Sequence, residues 1–380
     1  MAVYKIFPTK DATIYTQFSL RNTGRDEIIE ASTYLANNQA QSSRYLIQFD
    51  TNEISDIISN KISGADYKVY LKNYAARVEG LNQETTVEFF PISDDWNMGT
   101  GKFTDTPETT NGVSWRYRNS SGSGAWLTGS FPTYVTASFS NSPVNGGCTW
   151  YTGSNLGLDI TQFQRFSFYE PVDINTDVTN TIINWYTYSL DPSNGIDNNG
   201  FLIKQQDSDE FVSDPSYNKV FRFFSRDTNT IYPPELEFRF YDYTFSTGSS
   251  SNTILSTPEA FINVFNNVGT YYSESIARFR VAAVEKFPTR VYITSSLYTT
   301  NFYLPESQSL YAIKDSETNE YVIPFDSDYT RISADNQSSY FDVYMNGLQP
   351  ERYYTILIKT TIGGETKVFD EEILFKVING

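Results

Sequence analysis

The chain of 380 residues has no histidine, one cysteine and only three methionines. Histidine is the commonest general base and the commonest transition-metal ligand, so its absence excludes Ser-His-Asp and Cys-His catalysis and histidine-based zinc sites. Because Cys148 is the only cysteine, no disulfide forms within the chain, which favours folding in a reducing cytosol. No apolar run has the length of a membrane span, and Met1–Pro8 lacks the apolar stretch of a signal peptide. We therefore expect a protein made in a cytosol and not inserted into a membrane.

The charge balance is strongly acidic. There are 28 basic and 45 acidic residues, giving a net charge of −17, and the acidity is spread over both halves of the chain. Such a field repels phosphate backbones, which disfavours nucleic-acid binding, and it keeps a large surface soluble.

Aromatic residues are abundant, with 29 Tyr and 28 Phe. Both residue types favour half-buried pleated surfaces, so the composition predicts an all-β protein. Residues 67–78 alternate with a period of two, placing Val69 and Leu71 on one face. Similar patterns predict strands at 13–18, 44–49, 85–92, 134–139, 201–205, 220–225, 235–245, 277–284, 290–295, 310–313, 321–325, 340–344, 354–361 and 372–377.

Helix signals are few. Asp177 precedes an apolar stripe that includes Ile182 and Trp185, which predicts an N-cap and a short helix with Trp185 in its core-facing position. Further short helices are predicted at 53–62 and 258–265.

The composition changes to a linker at Thr247–Asn252, beyond which no tryptophan occurs. We therefore divide the chain into a β-sandwich over residues 1–245, a linker over 246–256 and a second sandwich over 257–380.

A succession of short motifs carries a first resemblance. It comprises Lys10-Asp11-Ala12, Asn22-Thr23-Gly24, Arg44–Asp50, Trp96, Val113-Ser114-Trp115, Asp177-Val178-Thr179, Gly200–Lys204, Phe224–Asp227 and Pro233–Leu236. Their order resembles the DNRLRE-type β-sandwich, a jelly-roll module similar to carbohydrate-binding modules. The loops over 99–147 are enlarged relative to that pattern, and the string that gives the family its name is absent.

The segment Gly347–Tyr354 carries a second resemblance. Its Leu-x-Pro-x-x-x-Tyr pattern resembles the tyrosine corner of fibronectin III and Ig-like domains, in which a tyrosine hydroxyl bonds back to the backbone. The resemblance implies that Tyr354 is this structural tyrosine. The whole chain, with its Ala-Val-Tyr-Lys-Ile-Phe-Pro opening, is similar to virion structural proteins of marine and cyanobacterial tailed phages.

The tryptophans allow two interpretations. Trp96, Trp115, Trp126 and Trp150 either stack on sugar rings or fill the sandwich and its loops, where one buried aromatic stabilises by roughly 2–3 kcal/mol. Trp126 and Trp150 lie in the most polar loops, so we expect them to be the more exposed pair.

Carboxylates provide the remaining candidates. Asp191 and Asp197 flank a glycine turn and offer oxygen ligands for calcium, but a solvated hairpin turn explains the same residues. Asp94 and Asp95 are adjacent, so on a strand they face opposite sides and do not flank one bond. Cys148 has no histidine partner and is expected to be inert.

These observations lead to one prediction and one alternative. We expect an all-β protein, a jelly-roll-like sandwich followed by a smaller Ig or fibronectin III-like sandwich, without enzymatic activity or cofactor. As a virion component made in the host cytoplasm, it would pack against other virion proteins and copies of itself. The alternative is a carbohydrate-binding adhesin that contacts host surface polysaccharide.

Overall fold

The computed structural model describes residues 2–36, 39–62, 64, 66–82, 84–120, 122–126, 135–136, 146–212, 214, 218–247, 254–288 and 301–380. The chain forms two compact units. The smaller unit contains Met1–Lys5, Gly64–Tyr67 and Phe238–Gly380, and the larger unit contains Ile6–Ser63 and Lys68–Glu237. Residues 248–253 of the predicted linker, residues 134 and 137–139 of a predicted strand, and the whole predicted strand 290–295 lie outside the described residues.

The protein is predominantly β-sheet, as the aromatic composition predicts. The first seventeen strands are β1 (Ala2–Ile6), β2 (Lys10–Tyr15), β3 (Ile28–Glu30), β4 (Thr33–Ala36), β5 (Gln39–Gln48), β6 (Tyr67–Asn73), β7 (Ala75–Glu79), β8 (Thr85–Pro91), β9 (Tyr117–Ser120), β10 (Ser123–Ala125), β11 (Val135–Thr136), β12 (Trp150–Tyr151), β13 (Gln162–Phe166), β14 (Ile174–Asp177), β15 (Phe201–Gln205), β16 (Val220–Phe224) and β17 (Glu235–Phe240).

In the larger unit, the main sheet has the order β13-β8-β15-β5-β2, with β4 also paired to β5, and its pairs are antiparallel. A three-stranded sheet has the order β3-β16-β7, and shorter antiparallel pairs join β6 to β14, β9 to β10 and β11 to β12. Buried and more exposed side chains alternate along these strands. In β6 the side chains of Val69 and Leu71 are buried, as predicted, while Lys68 is exposed.

The larger unit also contains the helices. They are α1 (Thr51–Asp56), which continues as a π-helix over Ile57–Ile62, α2 (Gly153–Leu156) and α3 (Thr179–Leu190). Asp50 caps α1 by accepting a hydrogen bond from the Asn52 N–H at 2.9 Å. Asp177 accepts one from the Thr179 N–H at 3.0 Å, and Trp185 is buried. The two predicted helices at 53–62 and after Asp177 are therefore confirmed.

The smaller unit is built from two further sheets. Its strands are β18 (Ala260–Val264), β19 (Thr270–Tyr272), β20 (Ile276–Glu285), β21 (Ser309–Asp315), β22 (Tyr321–Ile323), β23 (Ser333–Ala334), β24 (Ser339–Tyr344), β25 (Arg352–Ile362) and β26 (Glu365–Ile378), with a 3₁₀ turn at Met345–Gly347. One sheet has the order β18-β20-β24-β23, and the other has the order β19-β26-β25-β21-β22. Only β19 runs parallel to its neighbour among these named pairs.

The core of the smaller unit is aromatic and aliphatic. Tyr311 and Phe341 stack with their ring centroids 4.3 Å apart, and Phe279 stacks on Phe341 at 5.5 Å. Val3, from the beginning of the chain, is buried in the same cluster. The core of this unit therefore contains residues from both ends of the sequence.

One secondary-structure prediction is wrong. Within residues 258–265, predicted as a helix, Ala260–Val264 form strand β18. Ala260, Ile262 and Val264 are buried there, while Phe261 and Asn263 face solvent. This alternation has the period of a strand, and pairing with β20 satisfies the backbone. No helix within the described ranges has the length and apolarity needed to span a membrane.

Candidate functional site

The four candidate tryptophans form one buried cluster in the larger unit. Trp96, Trp115, Trp126 and Trp150 are each at most 4% exposed. They pack with residues of β2, β5 and β15, namely Ala12, Ile14, Leu46 and Leu202. The expectation that Trp126 and Trp150 are exposed is wrong, and none of the four indoles presents a ring face to solvent.

Two of the indole N–H groups donate to backbone carbonyls. Trp96 Nε1 donates to the Asn199 carbonyl at 2.9 Å, and Trp126 Nε1 donates to the Ser114 carbonyl at 3.0 Å. These partners allow an amphipathic side chain to be fully buried inside a loop rich in polar residues. The polar composition of the loop therefore gave a misleading signal of exposure.

A buried arginine organises two of the indoles. The guanidinium carbon of Arg44 lies 5.0 Å from the Trp115 ring centroid and 5.3 Å from that of Trp150. Arg44 also donates to both carboxylate oxygens of Glu210, at 2.9 and 2.6 Å, and to the Gly147 carbonyl. Since both side chains of the ion pair are at most 1% exposed, the charge is compensated by direct contacts and not by solvent.

A second buried cation extends this network. The Lys204 ammonium lies 2.7 Å from Asp207, 3.2 Å from Glu88 and 3.7 Å from Glu210. Lys204 is 1% exposed, and its three acidic neighbours come from β8 and from the segment after β15. The network thus ties the central strands of the main sheet to the residues that follow β15.

Asn22 fixes the loop that leads into the tryptophan cluster. Its Nδ2 donates to the Met98 and Val113 carbonyls at 2.7 and 2.9 Å, while its Oδ1 accepts from the Gly101 N–H at 2.8 Å. Gly99 has a positive φ of 74°, and a Cβ there would lie 2.3 Å from Asn22 Oδ1. Glycine is required at that position because the loop approaches the asparagine closely.

The calcium candidates belong to a turn. Asp191 Oδ1 accepts from the Ser193 N–H at 3.0 Å and from its hydroxyl at 2.8 Å, and Asp191 Oδ2 accepts from Asn194 at 2.8 Å. These bonds lower the pKa of Asp191, beginning with the bond from the Ser193 backbone. Asp197 is exposed. Across the described part of the chain, no group of three acidic, histidine or cysteine side chains is arranged to hold a metal.

The other sequence candidates are also separated. Asp94 lies 3.7 Å from the Arg118 guanidinium, whereas Asp95 lies 3.3 Å from the Lys10 ammonium, so the two carboxylates contact different cations. Cys148 is fully buried, and burial raises the pKa of its thiol well above the ordinary value. A thiol in this environment is a poor nucleophile.

Tyr354 on β25 makes the bond that its motif predicts. Its hydroxyl donates to the Gln349 carbonyl, five residues upstream, at 2.9 Å, and the side chain is buried. Burial raises the pKa of this phenol above the ordinary value. The bond fixes the entry into β25.

A buried aspartate with acidic neighbours was not predicted from the sequence. Asp11 on β2 is 1% exposed, and its Oδ2 accepts a 2.6 Å hydrogen bond from the Arg226 N–H. Burial raises the pKa of Asp11 to about 7, against the lowering effect of the Arg226 hydrogen bond and with a smaller contribution from the Asp227 charge. Burial similarly raises the pKa of Asp26 to about 6. The Lys-Asp-Ala motif gave no signal of this burial, because aspartate is rarely buried.

An exposed aromatic pair between β13 and β14 was also missed. Phe168 is 76% exposed and Tyr169 is 93% exposed, with their rings in edge contact at 5.4 Å. Gln164 closes the base of this loop by donating to the Asp173 carbonyl and accepting from the Asn175 N–H. Phe168 and Tyr169 therefore supply the exposed aromatic faces that the tryptophans do not.

Comparison of the chain with models of known protein families finds no match, and comparison with curated proteins finds none either.

Proposed function

We propose that this protein is a structural component of a tailed-phage virion, located at the neck, tail or capsid, that acts by packing against other virion proteins and copies of itself. The resemblance of the opening and of the motif order supports the assignment to a virion. The acidic surface, with a net charge of −17, suits a protein that contacts proteins and not nucleic acid. The particle is then its site of action, after synthesis in the host cytoplasm.

The observation that carries the packing role is the distribution of exposed apolar side chains. Among the described residues, twelve large hydrophobic side chains of the smaller unit are exposed, against six of the larger unit. They are Tyr241, Ile254, Phe261, Phe265, Val268, Tyr272, Ile276, Phe287, Tyr321, Tyr353, Val368 and Leu374. Exposed aromatic surface of this kind is enriched where proteins associate. The smaller unit is therefore the proposed docking module.

The proposal includes a finer description of both units, a jelly-roll-like sandwich and an Ig or fibronectin III-like sandwich. Support for the second comes from its four-stranded and five-stranded sheets and from the Tyr354 bond at the start of β25. In this description β18 and β19 are the two halves of one edge strand. The first half pairs with β20 in one sheet, and the second half pairs with β26 in the other. Support for the first is the antiparallel main sheet and the resemblance of the motifs.

The test is quantitative mass spectrometry of purified particles from the phage whose genome encodes the chain. The proposal expects the protein at a fixed copy number per particle that survives density-gradient purification and a high-salt wash. Its presence in infected cells but not in particles would refute the structural role. Particles produced without the gene should lack a defined substructure in electron micrographs.

The alternative, a carbohydrate-binding adhesin, is favoured by the exposed Phe168–Tyr169 pair. An exposed aromatic ring stacks on the C–H face of a sugar, and the Gln164 bonds hold this loop in place before binding. A glycan array with host polysaccharide tests it. Binding that is lost in Tyr169→Ala and retained in Leu190→Ala, an exposed apolar control at 67%, would favour the adhesin. Absence of binding to any glycan would count against it.

A further inference from the structure

The solvent face of strands β18 and β20 is uncharged across its centre. In the register of these strands Phe261 lies beside Val284 and Asn263 beside Ala282, and the Phe265 N–H bonds to the Arg280 carbonyl. We call the surface formed by Phe261, Asn263, Phe265, Ala282 and Val284 the neutral face. Its two phenylalanines are 51% and 57% exposed.

Two cations flank the neutral face, and each contacts an acidic residue of the same unit. Arg280 makes two hydrogen bonds to Asp335, at 3.0 and 2.9 Å. At the other end, Lys286 lies 3.7 Å from Glu259. Residues 260–268 contain no ionisable side chain, although 19% of the chain is charged. The neutral face thus offers apolar area, and the two cations beside it, Arg280 and Lys286, are paired with acidic residues.

We infer that the neutral face packs against the same face of a second copy of this chain. Two copies each carry a charge of −17, so most pairs of their surfaces repel one another. An uncharged face brings two copies together where the local repulsion is lowest, and it places no charge against an identical uncharged surface. A strongly basic partner would instead be drawn to the acidic remainder of the protein. A two-fold axis through the face lets each copy cover the other's phenylalanines.

The size of the face sets the strength of the contact. A fully buried phenylalanine contributes about 150–250 Å². Two rings, each about half exposed, therefore offer roughly 200 Å², well below the ~800 Å² per partner of a stable complex. The association of two chains in solution is thus expected to be weak and reversible. Neighbouring contacts in an assembly would raise its effective concentration and make it persistent.

The test is sedimentation equilibrium of the full chain at concentrations from about 10 µM to about 1 mM, the range in which weak interfaces associate. The wild-type mass should rise above the 43.4 kDa of the monomer as the concentration increases. Phe261→Asp should remain monomeric, with a dissociation constant raised at least about tenfold by a buried unpaired charge. Asn263→Asp should weaken association in the same direction without removing any packed side chain.

Phe163→Asp is the matched control, since it makes the same substitution at a phenylalanine of the larger unit that is 60% exposed. It should associate as the wild type does. Three outcomes would each overturn the inference. The wild-type chain could stay monomeric at every concentration, the variants of the neutral face could associate as the wild type does, or the control variant could lose association. The inference deepens the proposed function, yet the two fail separately: a monomeric chain found in particles overturns only this pairing, whereas a dimer absent from particles overturns only the virion role.

Discussion

The buried Arg44–Glu210 pair allows the physical account of the tryptophan cluster to be tested directly. In Glu210→Gln the side chain keeps its shape, but the guanidinium between Trp115 and Trp150 loses its countercharge. Removing one partner of a buried ion pair costs about 3–5 kcal/mol, because the remaining charge stays in a poorly solvated position. The amide oxygen of glutamine still accepts one hydrogen bond, so we expect about 3 kcal/mol.

The assay is urea denaturation followed by tryptophan fluorescence. All five tryptophans lie in the larger unit, so this signal reports the unfolding of that unit alone. The matched control is Glu84→Gln, which breaks an exposed ion pair with Arg165. The side chains of Glu84 and Arg165 are 59% and 64% exposed. An exposed pair contributes about 0–1 kcal/mol, so the control should unfold close to the wild type.

The comparison also separates charge compensation from packing. Arg44→Leu combined with Glu210→Leu removes both charges, and it should be more stable than Glu210→Gln alone, since no buried charge is left uncompensated. If Glu210→Gln costs less than about 1 kcal/mol, or no more than the exposed control does, the pair does not compensate a buried charge and the reasoning is refuted.

Three further predictions concern other parts of the structure. Asn22→Asp places a carboxylate oxygen against the Met98 and Val113 carbonyls, which should destabilise the larger unit by about 2–3 kcal/mol. The rate of amide hydrogen exchange over residues 97–113 should rise. An unchanged exchange rate would contradict the role of Asn22 in fixing this loop. Tyr354→Phe removes the hydrogen bond to Gln349 and should destabilise the smaller unit by about 1–2 kcal/mol. Thermal unfolding followed by circular dichroism measures this change. Tyr321→Phe, at an exposed tyrosine, is the control and should leave the stability unchanged. The folded pKa of Asp11, about 7, lies above its usual 3.8, so the stability that its proton contributes is complete below about pH 4 and is lost as the pH rises to about 7. Asp11→Asn should flatten this part of the stability–pH curve, and an unchanged slope would show that another group titrates there.

Strand positions were the most accessible part of the fold from sequence. The alternation around Val69 and Leu71 predicts their burial correctly, because pairing and burial in β6 follow from a period of two. Residues 258–265 are a short apolar segment in which helix and strand signals overlap. There the pairing with β20, which involves residues about twenty positions away, decides the outcome.

The candidate site was harder to predict from the sequence than the strands were, for a physical reason. The exposure of a tryptophan depends on what covers it, and Trp150 is covered partly by Arg44, more than one hundred positions earlier in the chain. Arg44 in turn requires Glu210, 166 positions later. No local pattern encodes such a triad. The Phe168–Tyr169 loop lacks any periodic signal, so its exposure becomes evident only once the neighbouring strands are placed.

The position of Val3 in the core of the smaller unit has a consequence for how the chain folds during synthesis. The Asn346 amide donates to the Lys5 carbonyl at 2.9 Å, a contact that spans 341 positions. In the order of the sequence, both segments of the larger unit lie between the first residues of the smaller unit and its main part, Phe238–Gly380. The larger unit therefore has all its residues available while the ribosome is still translating the smaller one. Val3 must wait for the residues that it packs against in the core, and a fragment that begins at residue 246 would lack Val3 from that core.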